Sequence, residues 1–355
     1  MSIVSQTHGF VVGVDTHARK HVYAIVSRAG ELLETRDFPT TASGIKRALT
    51  WAGRRTGGDA STLWAIEGAA SYGAVLAGAV AEASFPVAEA PRMSAKSRHG
   101  VGKNDEMDAY RIATATLPLG VERLRSPRLN EGARAALRTL VAAREMITGE
   151  RTRNVNALTA LLRVNSLGID ARKPLNGAQI LEASKWRARD ESLEQQIARS
   201  EAVRLSSRIT ELDKQIKANS EKTTELVKLS EAKDLLELKG IGPVVAAACL
   251  TAWSHHGRVR SEAAFASLAG VNPIPASSGN TVRHRLNRGG DRKLNKALHT
   301  AALVRMTHDE ETRTYVEKRT AEGKTLREIR RCIKRYLARK IYRVLNAAGS
   351  ELAAT

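Results

Sequence analysis

The sequence predicts an α/β domain at the N-terminus, then a long helical or coiled-coil connector and a mainly α C-terminal region. Short apolar runs alternate with helical patterns through residues 1–127, whereas almost only helical periodicity follows. Charge is also uneven: the 355 residues carry a formal net charge of +20, and residues 255–345 hold 21 Lys and Arg against 8 Asp and Glu. We therefore expect four segments, at 1–127, 128–232, 233–310 and 311–355.

The first segment contains five predicted strands and three predicted helices. The strands are β-rich or apolar runs at 10–15, 21–27, 31–38, 62–67 and 85–88. Helical spacing covers 42–54, 69–83 and 104–116, with Asn104 as the N-cap of the last helix. A hairpin-rich start followed by βα units predicts a mixed sheet with helices on its faces.

The connector is predicted from two helical stretches. A helix basic on one face covers 129–162, and one or two long polar helices cover 180–229. Apolar residues recur there at close to heptad spacing, at Leu193, Ile197, Val203, Ile209, Leu212 and Ile216. The pattern predicts a helical arm or coiled coil, and an ordinary helical hairpin packed on a domain fits it equally well.

The C-terminal region combines short helices with one long basic helix. Residues 235–253 have the pattern of helix, Gly-rich turn and helix, and further helices are predicted at 263–268 and 325–345. The last of these carries Arg327, Arg330, Arg331, Lys334, Arg335, Arg339, Lys340 and Arg343. A surface this positive attracts polyanions, so nucleic acid is favoured over a merely soluble basic protein.

The sequence also excludes several protein classes. Cys249 and Cys332 are the only cysteines, which leaves no zinc spacing and no disulfide framework. The first residues lack the pattern of a signal peptide, and the longest apolar run, 241–253, is too short to span a bilayer. We expect a cytoplasmic, nucleoid-associated protein with no membrane contact.

Four acids form the first candidate site. Asp15 and Glu67 each end an apolar strand, and Asp105 and Asp108 lie three residues apart at the start of a helix. Acids at such positions are costly unless they are paired or bind a metal, and oxygen ligands in this number suit Mg²⁺ or Mn²⁺. Individually, Asp15 fits a turn cap and Asp105 an acid favoured by the helix dipole.

The Gly-x-Gly turn, 239–243, is the second candidate site. Lys239, Gly240 and Gly242 stand between two predicted helices, where backbone N–H groups can hold a nucleic-acid phosphate. A tight interhelical turn with only a structural role is the alternative.

A serine loop is the third candidate site. Ser277 and Ser278 precede a run of cations that could stabilise charge on a phosphodiester under attack: Arg283, Arg285, Arg288 and Arg292. An ordinary Ser/Gly loop is the alternative. We expect further nucleic-acid contacts from Arg330, Arg331, Lys334 and Arg335 of the basic helix.

The motifs VGVDTH, AIEGAASYG, KNDEMDAYRIA, LKGIGPVVAA, FASLAGVNPIPASSGN and HRLNRGGDRKLNKAL follow one another along the chain. In this order they resemble the DEDD transposases of bacterial insertion sequences, the IS110 family of bridge-RNA-guided recombinases. The resemblance runs over nearly the whole chain. It implies an N-terminal domain like the resolvase RuvC, within the RNase H-like group, a helical connector and a small C-terminal transposase domain.

The resemblance also assigns the catalytic residues. Asp15, Glu67, Asp105 and Asp108 correspond to the metal-binding tetrad, and Ser278 corresponds to the nucleophile, with Ser277 as the alternative. Two features depart from the pattern, because Asn104 stands where Thr is usual and Glu106 adds a fifth acid.

The partners implied by the resemblance are target and donor DNA, a guide RNA, and further copies of the chain. Active sites would be shared between protomers of a homodimer or homotetramer. Two other functions fit the residues: a junction resolvase or nuclease using metal-activated water, and a non-catalytic nucleic-acid scaffold held by charge.

Overall fold

The computed structural model describes residues 2–91, 104–129, 131–277 and 284–353. It divides into two compact units, Met1–Asn130 and Glu131–Thr355. The finer division of the second unit into connector, transposase domain and basic helices stays a prediction.

A mixed five-stranded sheet forms the centre of the first unit, as predicted. Its strands are β1 (Phe10–Thr16), β2 (Lys20–Ser27), β3 (Leu32–Pro39), β4 (Leu63–Ile66) and β5 (Val87–Glu89), in the order β3-β2-β1-β4-β5. β2 pairs antiparallel with β1 and β3, whereas β4 pairs parallel with β1 and β5. The carboxyl ends of β1 and β4 therefore lie at the same edge of the sheet.

Helices cover both faces of this sheet. On one face, α2 (Ala42–Arg55) and α3 (Ala74–Glu82) pack against alternate strand residues. Tyr23 lies at the centre of that face, with its ring edge-on to those of Phe38, Trp51 and Trp64 at centroid distances of 5.7–6.4 Å. The buried residues of β1, β2 and β4 explain why these strands consist of apolar runs rather than alternating polar and apolar positions, whereas β3 has one buried residue, Phe38.

The opposite face carries α4 (Asp105–Thr116), which begins within a residue of its predicted start. A stripe of buried α4 residues, including Ala109, Ile112 and Ala113, packs on the sheet. Gly13 makes this close approach possible, because a Cβ atom there would lie 2.6 Å from the backbone nitrogen of Ala113. Any larger residue would push α4 off β1.

The structure corrects one prediction in the first unit and adds one helix to it. α3 begins at Ala74 rather than at residue 69, because Gly68 has a φ of +59° and the Ser71 amide bonds back to its carbonyl, forming a turn. A short helix that the sequence analysis missed, α1 (Val4–Thr7), precedes β1, and its Val4 is fully buried.

Two long antiparallel helices open the second unit. They are α5 (Gly132–Val164) and α7 (Leu193–Lys228), and the short α6 (Gly177–Ser184) packs on α7. The Asn219 amide donates to the Leu140 carbonyl (3.0 Å), and Arg208 donates to Glu150 (2.6 Å). Positions further along α5 therefore contact positions further back along α7, so the two helices are antiparallel. The connector is an intrachain helical hairpin.

The predicted apolar stripe of α7 divides into two parts. Ile209 and Leu212 are fully buried, Ile209 in a small cluster that also contains Leu158 and Leu162 of α5. Leu193 and Ile197, in the first turns of α7, are 73% and 58% exposed. Packing within the hairpin therefore explains the buried residues of the stripe and leaves Leu193 and Ile197, among the described residues, without a packing partner that would bury them.

The remaining helices form the main core of the second unit. They are α8 (Pro243–Trp253), α9 (Glu262–Leu268), α10 (Arg292–His308), α11 (Glu310–Ala321) and α12 (Leu326–Ala353). Leu137 of α5 and Val227 of α7 belong to the same core, so the hairpin base is anchored there. The helix predicted before the Gly-rich turn is a 3₁₀ helix, Lys233–Glu237. Among the helices of the described ranges, none is long and apolar enough to cross a membrane.

Candidate metal centre and nucleic-acid interface

The ends of β1 and β4 bring the first two acids to one edge of the sheet. The Glu67 amide donates to the Val14 carbonyl (3.0 Å), which extends the parallel pairing one residue beyond the strand. Asp15 and Glu67 are therefore neighbours on adjacent strands. Asp15 is 8% exposed, and Glu67 is exposed.

α4 brings Asp105 and Asp108 to the same edge. The Asn104 side chain caps the helix by accepting a hydrogen bond from the Glu106 amide (3.1 Å). Because Gly13 and Asp15 lie two residues apart in β1, they point to the same face, and α4 crosses β1 on that face. The first turn of α4 thus starts beside Asp15.

The electrostatics of Asp15 reflect this crowding. Burial raises the pKa of its carboxyl above the usual value; His17 opposes the rise, and the carboxylates of Asp105 and Asp108 add to it. Asp108 is also 8% exposed, and its Oδ1 lies 3.5 Å from Nη1 of Arg111. Asp15 therefore lies within electrostatic range of two further carboxylates.

His17 is a member of this cluster that the sequence analysis missed. Its Nε2 lies 3.1 Å from Oδ2 of Asp15 and 3.5 Å from Oδ2 of Asp105. One ligand atom from each of these three residues lies within 4.8 Å of the others. The missed signal was the strand period of two, which places Asp15 and His17 on the same face.

The predicted carboxylates differ in how closely they approach. Asp15 and Asp105 belong to the compact group with His17, Asp108 adjoins it electrostatically, and Glu67 adjoins it through the backbone pairing. Glu106 is exposed in the first turn of α4. Two carboxylate oxygens and an imidazole nitrogen within 4.8 Å of one another are a donor set that fits a divalent ion.

A two-stranded ribbon flanks the serine loop in sequence. β6 (Ile274–Pro275) pairs antiparallel with β7 (His284–Arg285), and the Asn272 and Asn287 side chains join its base (2.6 Å). Ser277 follows β6 and is exposed. Ser278 and Arg283 lie outside the described residues, within the segment 278–283 that connects the two strands in sequence.

An open, basic cleft of about 840 Å³ borders the ribbon. We call it the ribbon cleft; it is lined by Gly270–Pro273, His284–Asn287, Arg319, Lys324, Glu328, Ile329, Arg331, Cys332, Lys334, Arg335, Tyr336 and Arg339. Seven of these residues are Lys or Arg, and one, Glu328, is acidic. Among the described residues Nη1 of Arg335 is buried without a hydrogen-bond partner. Such a surface can hold a polyanion.

Several cations of α12 are buried or paired with other residues of the chain. Lys334 is 9% exposed and donates to Asn295 (2.7 Å), and burial together with Arg330 lowers its pKa. Arg339 and Arg343 lie 3.5 Å and 3.2 Å from the Glu262 carboxylate. Exposed predicted cations are Arg285, Arg288, Arg292 and Arg331, whereas Arg330 and Arg335 are half-buried.

The Gly-x-Gly turn packs against α10. Gly240 has a φ of +81°, and a Cβ atom there would lie 2.9 Å from the Ala301 carbonyl oxygen, so both conformation and contact favour glycine. Gly242 is the N-cap of α8 and is exposed. The Lys239 side chain is 72% exposed, with Nζ 3.4 Å from Oδ1 of Asp309. The turn therefore has a structural role, and its exposed side leaves Lys239 and Gly242 accessible.

Two family models match the chain in order. Residues 12–165 match the DEDD model of IS110 type described as transposase, and residues 232–317 match the transposase model of the IS116/IS110/IS902 family. The first match contains Asp15, Glu67, Asp105 and Asp108. The second contains the Gly-x-Gly turn and the serine loop.

Two curated proteins are similar to part of the chain. The uncharacterized 43.6 kDa protein of insertion element IS110 from Streptomyces coelicolor is 30% identical over 123 residues, covering 34% of this chain and 30% of that protein. The uncharacterized 42 kDa protein of insertion element IS900 from Mycobacterium paratuberculosis is 29% identical over 133 residues, covering 37% and 33%. The chain thus spans about a third of the length of either relative.

Proposed function

The chain belongs to the IS110 family of transposases, and on that premise we propose that it cuts and rejoins DNA as the site-specific recombinase of a mobile element. The observation that carries the proposal is the meeting of Asp15, Glu67 and the first turn of α4 at one edge of a mixed sheet. The strand order is compatible with the RNase H-like, RuvC-like fold that the resemblance implies.

The four acids would bind Mg²⁺ or Mn²⁺. Divalent ions held there would orient a DNA phosphate and stabilise the charge that develops on it. The sheet fixes Asp15 and Glu67 through backbone pairing, and α4 holds Asp105 and Asp108 over β1. Rigid secondary structure therefore sets the positions of these carboxylates, which favours a preorganised site.

Ser278 would be the nucleophile. Its hydroxyl oxygen would attack a DNA phosphorus, one P–O bond of the backbone would break, and one strand end would remain attached as a phosphoserine. A hydroxyl at a second strand end would then displace the serine, which restores a phosphodiester without hydrolysis. The ribbon that leads into and out of this segment borders the cationic lining of the ribbon cleft, which supports phosphate binding nearby.

Guide RNA and oligomerisation complete the proposal. The ribbon cleft offers a sequence-independent surface for either nucleic acid, and we propose that a guide RNA pairs with target and donor DNA. We further propose a homodimer or homotetramer in which the acids of one protomer act with the serine of another. The exposed Leu193 and Ile197 of the predicted coiled-coil stripe support contact between copies.

The deciding experiment traps the covalent strand end. Protein with its co-purified RNA is incubated with end-labelled target and donor DNA in Mg²⁺, denatured, and examined for a protein–DNA adduct. We expect an adduct with the wild type and with Ser277→Ala, and none with Ser278→Ala, Asp15→Asn or Glu67→Gln. Circular dichroism checks that each variant folds.

Four results would contradict parts of this proposal. An adduct lost only in Ser277→Ala would make Ser277 the nucleophile. Recombination that survives both serine changes would favour a resolvase-like nuclease using water. Full activity of the wild type in EDTA, or of Asp15→Asn in Mg²⁺, would contradict the role of the metal. Co-purified nucleic acid without a defined RNA species would contradict the proposed guide RNA.

A further inference from the structure

His17 lies among the proposed metal ligands, and its side chain is half-buried. Its Nε2 atom is buried between two carboxylates, at 3.1 Å from Oδ2 of Asp15 and 3.5 Å from Oδ2 of Asp105. The contact with Asp15 opposes the rise in the pKa of that carboxyl, so His17 interacts directly with both acids.

These separations match those between ligands that share one ion. Two ligands about 2.1 Å from a metal lie roughly 3.0 Å apart at a right angle and roughly 3.5 Å apart at a tetrahedral angle. The observed 3.1 Å and 3.5 Å lie in this range, which ligands of one ion share with direct carboxylate–imidazole ion pairs.

The backbone also fixes His17 in this place. Its amide lies 3.3 Å from Nδ1 of His21, a buried residue of β2, and donates to it. Thr16 pairs with His21 across β1 and β2, so the strand pairing ends at the residue before His17. The His17 backbone is thus held at the end of the sheet by the bond from its amide to β2.

We propose that His17 coordinates a divalent ion through Nε2, together with Asp15 and Asp105, and so shifts the preference of the site from Mg²⁺ toward Mn²⁺. This inference rests on the proposed function, because it concerns the same metal centre. Mg²⁺ strongly favours oxygen ligands, whereas imidazole suits transition-metal ions better. The alternative is that a protonated His17 forms ion pairs with Asp15 and Asp105. Such a cation would compete with a metal ion, so its removal would tighten metal binding.

Electron paramagnetic resonance of the full chain with one equivalent of Mn²⁺ tests this. Nitrogen modulation from a bound imidazole is expected in the wild type, and it should disappear in His17→Ala. Mn²⁺ affinity, measured from the free-ion signal, should fall on the order of tenfold or more, and Mg²⁺ affinity should fall less. His256→Ala, an exposed histidine of the second unit, is the matched control and should change neither readout.

The outcomes separate this inference from the function on which it rests. Mn²⁺ binding that depends on Asp15 but lacks nitrogen modulation would overturn the role of His17 and leave the metal centre intact. Tighter Mn²⁺ binding by His17→Ala would identify His17 as a competing cation. Mn²⁺ binding unaffected by Asp15→Asn would instead refute the proposed metal centre.

Discussion

At the residue scale, single side chains decide whether the functional groups meet. Gly13 has no chemistry of its own, yet it allows α4 to lie on β1 and so places Asp105 beside Asp15. Asp309 has a comparable role in the second unit. It is 4% exposed, joins α10 to α11, and accepts hydrogen bonds from Arg305 and Thr312 while Lys239 approaches it.

Gly13→Ala should destabilise the first unit and loosen the proposed metal centre. The added methyl group meets the backbone of α4, which cannot move as a flexible side chain would, so we expect a loss of about 2–3 kcal/mol in unfolding free energy. Chemical denaturation measures this loss. Gly53→Ala is the control: it lies in α2 with nothing within 4 Å of the added atom, and should be neutral or stabilising by up to about 1 kcal/mol. Equal effects of both substitutions would refute the close-approach argument.

Asp309→Asn should destabilise the second unit in a pH-dependent way. The Thr312 hydroxyl and the Arg305 guanidinium hold the pKa of Asp309 at about 2. Because this pKa is depressed, the stabilisation of about 2–3 kcal/mol is present above the unfolded value near 4 and is lost as pH falls through about 2.

Urea unfolding of Asp309→Asn and the wild type at several pH values is the measurement. The two free energies should differ at pH 7 and converge as the pH approaches 2. Glu311→Gln removes the same charge at a 90% exposed site 3.7 Å from Arg305 and should have little effect. A difference that stays constant over this range would contradict the charge argument.

At the element scale, some cations of the ribbon and α12 are paired within the chain, and others are exposed and can contact nucleic acid. Arg339 and Arg343 share Glu262, and Lys334 donates to Asn295, whereas Arg285 and Arg331 line the ribbon cleft with exposed side chains. A count of charges along the helix overstates what a phosphate backbone can contact. The elements that border the serine segment hold the available cations.

Neutralising Arg285, Arg331 and Arg335 to Gln should lower the salt dependence of nucleic-acid binding. Each lost phosphate contact removes roughly one unit from the slope of log K against log salt, so we expect a decrease of roughly two to three units. A matched control changes Arg172, Arg204 and Arg208, which pair with acids of the hairpin region. The same decrease in both triple variants would show that net charge, and not the ribbon cleft, sets the affinity.

At the scale of the whole molecule, the two units have separate cores. Within the described part of the chain, each buried cluster draws its residues either from Met1–Asn130 or from Glu131–Thr355. Charge follows the same division, since residues 1–130 carry 16 Lys and Arg against 12 Asp and Glu, a net of +4 of the total +20. The remaining +16 belongs to residues 131–355.

The fragment 131–355 should therefore fold alone and retain most of the nucleic-acid affinity. Expressed separately, it is expected to unfold in one cooperative transition and to bind DNA with nearly the salt slope of the full chain. Fragment 1–130 should bind with a much smaller slope. A fragment 131–355 that lacks cooperative unfolding would show that its core depends on the first unit.

The sequence predicted most of the first unit because its signals are local. β-rich or apolar runs marked the five strands, and Asn104 marked the start of α4. The start of α3 was wrong, because Ala-rich composition favours helix while the left-handed Gly68 imposes a turn. His17 was missed because its meaning depends on α4, nearly ninety residues away in sequence.

The second unit was less predictable, since its decisive contacts are distant. No local pattern shows that Arg343 meets Glu262, or that Lys334 is buried against Asn295. Likewise, heptad spacing could not show that Ile209 packs inside the chain while Leu193 stays exposed. The family resemblance is confirmed, whereas the assignment of Ser278 stays a prediction.

Because α5 and α7 pair antiparallel, the length of the hairpin can change without a change at its base. Both helices return to the same core through Leu137 and Val227, and a helix of 33 residues extends about 50 Å from end to end. Removing seven residues from each helix at matching heights would shorten the rod by about 10 Å while keeping its facing surfaces in register. Evolution can therefore change the reach of this arm by paired deletions or insertions, without redesigning either the base or the tip.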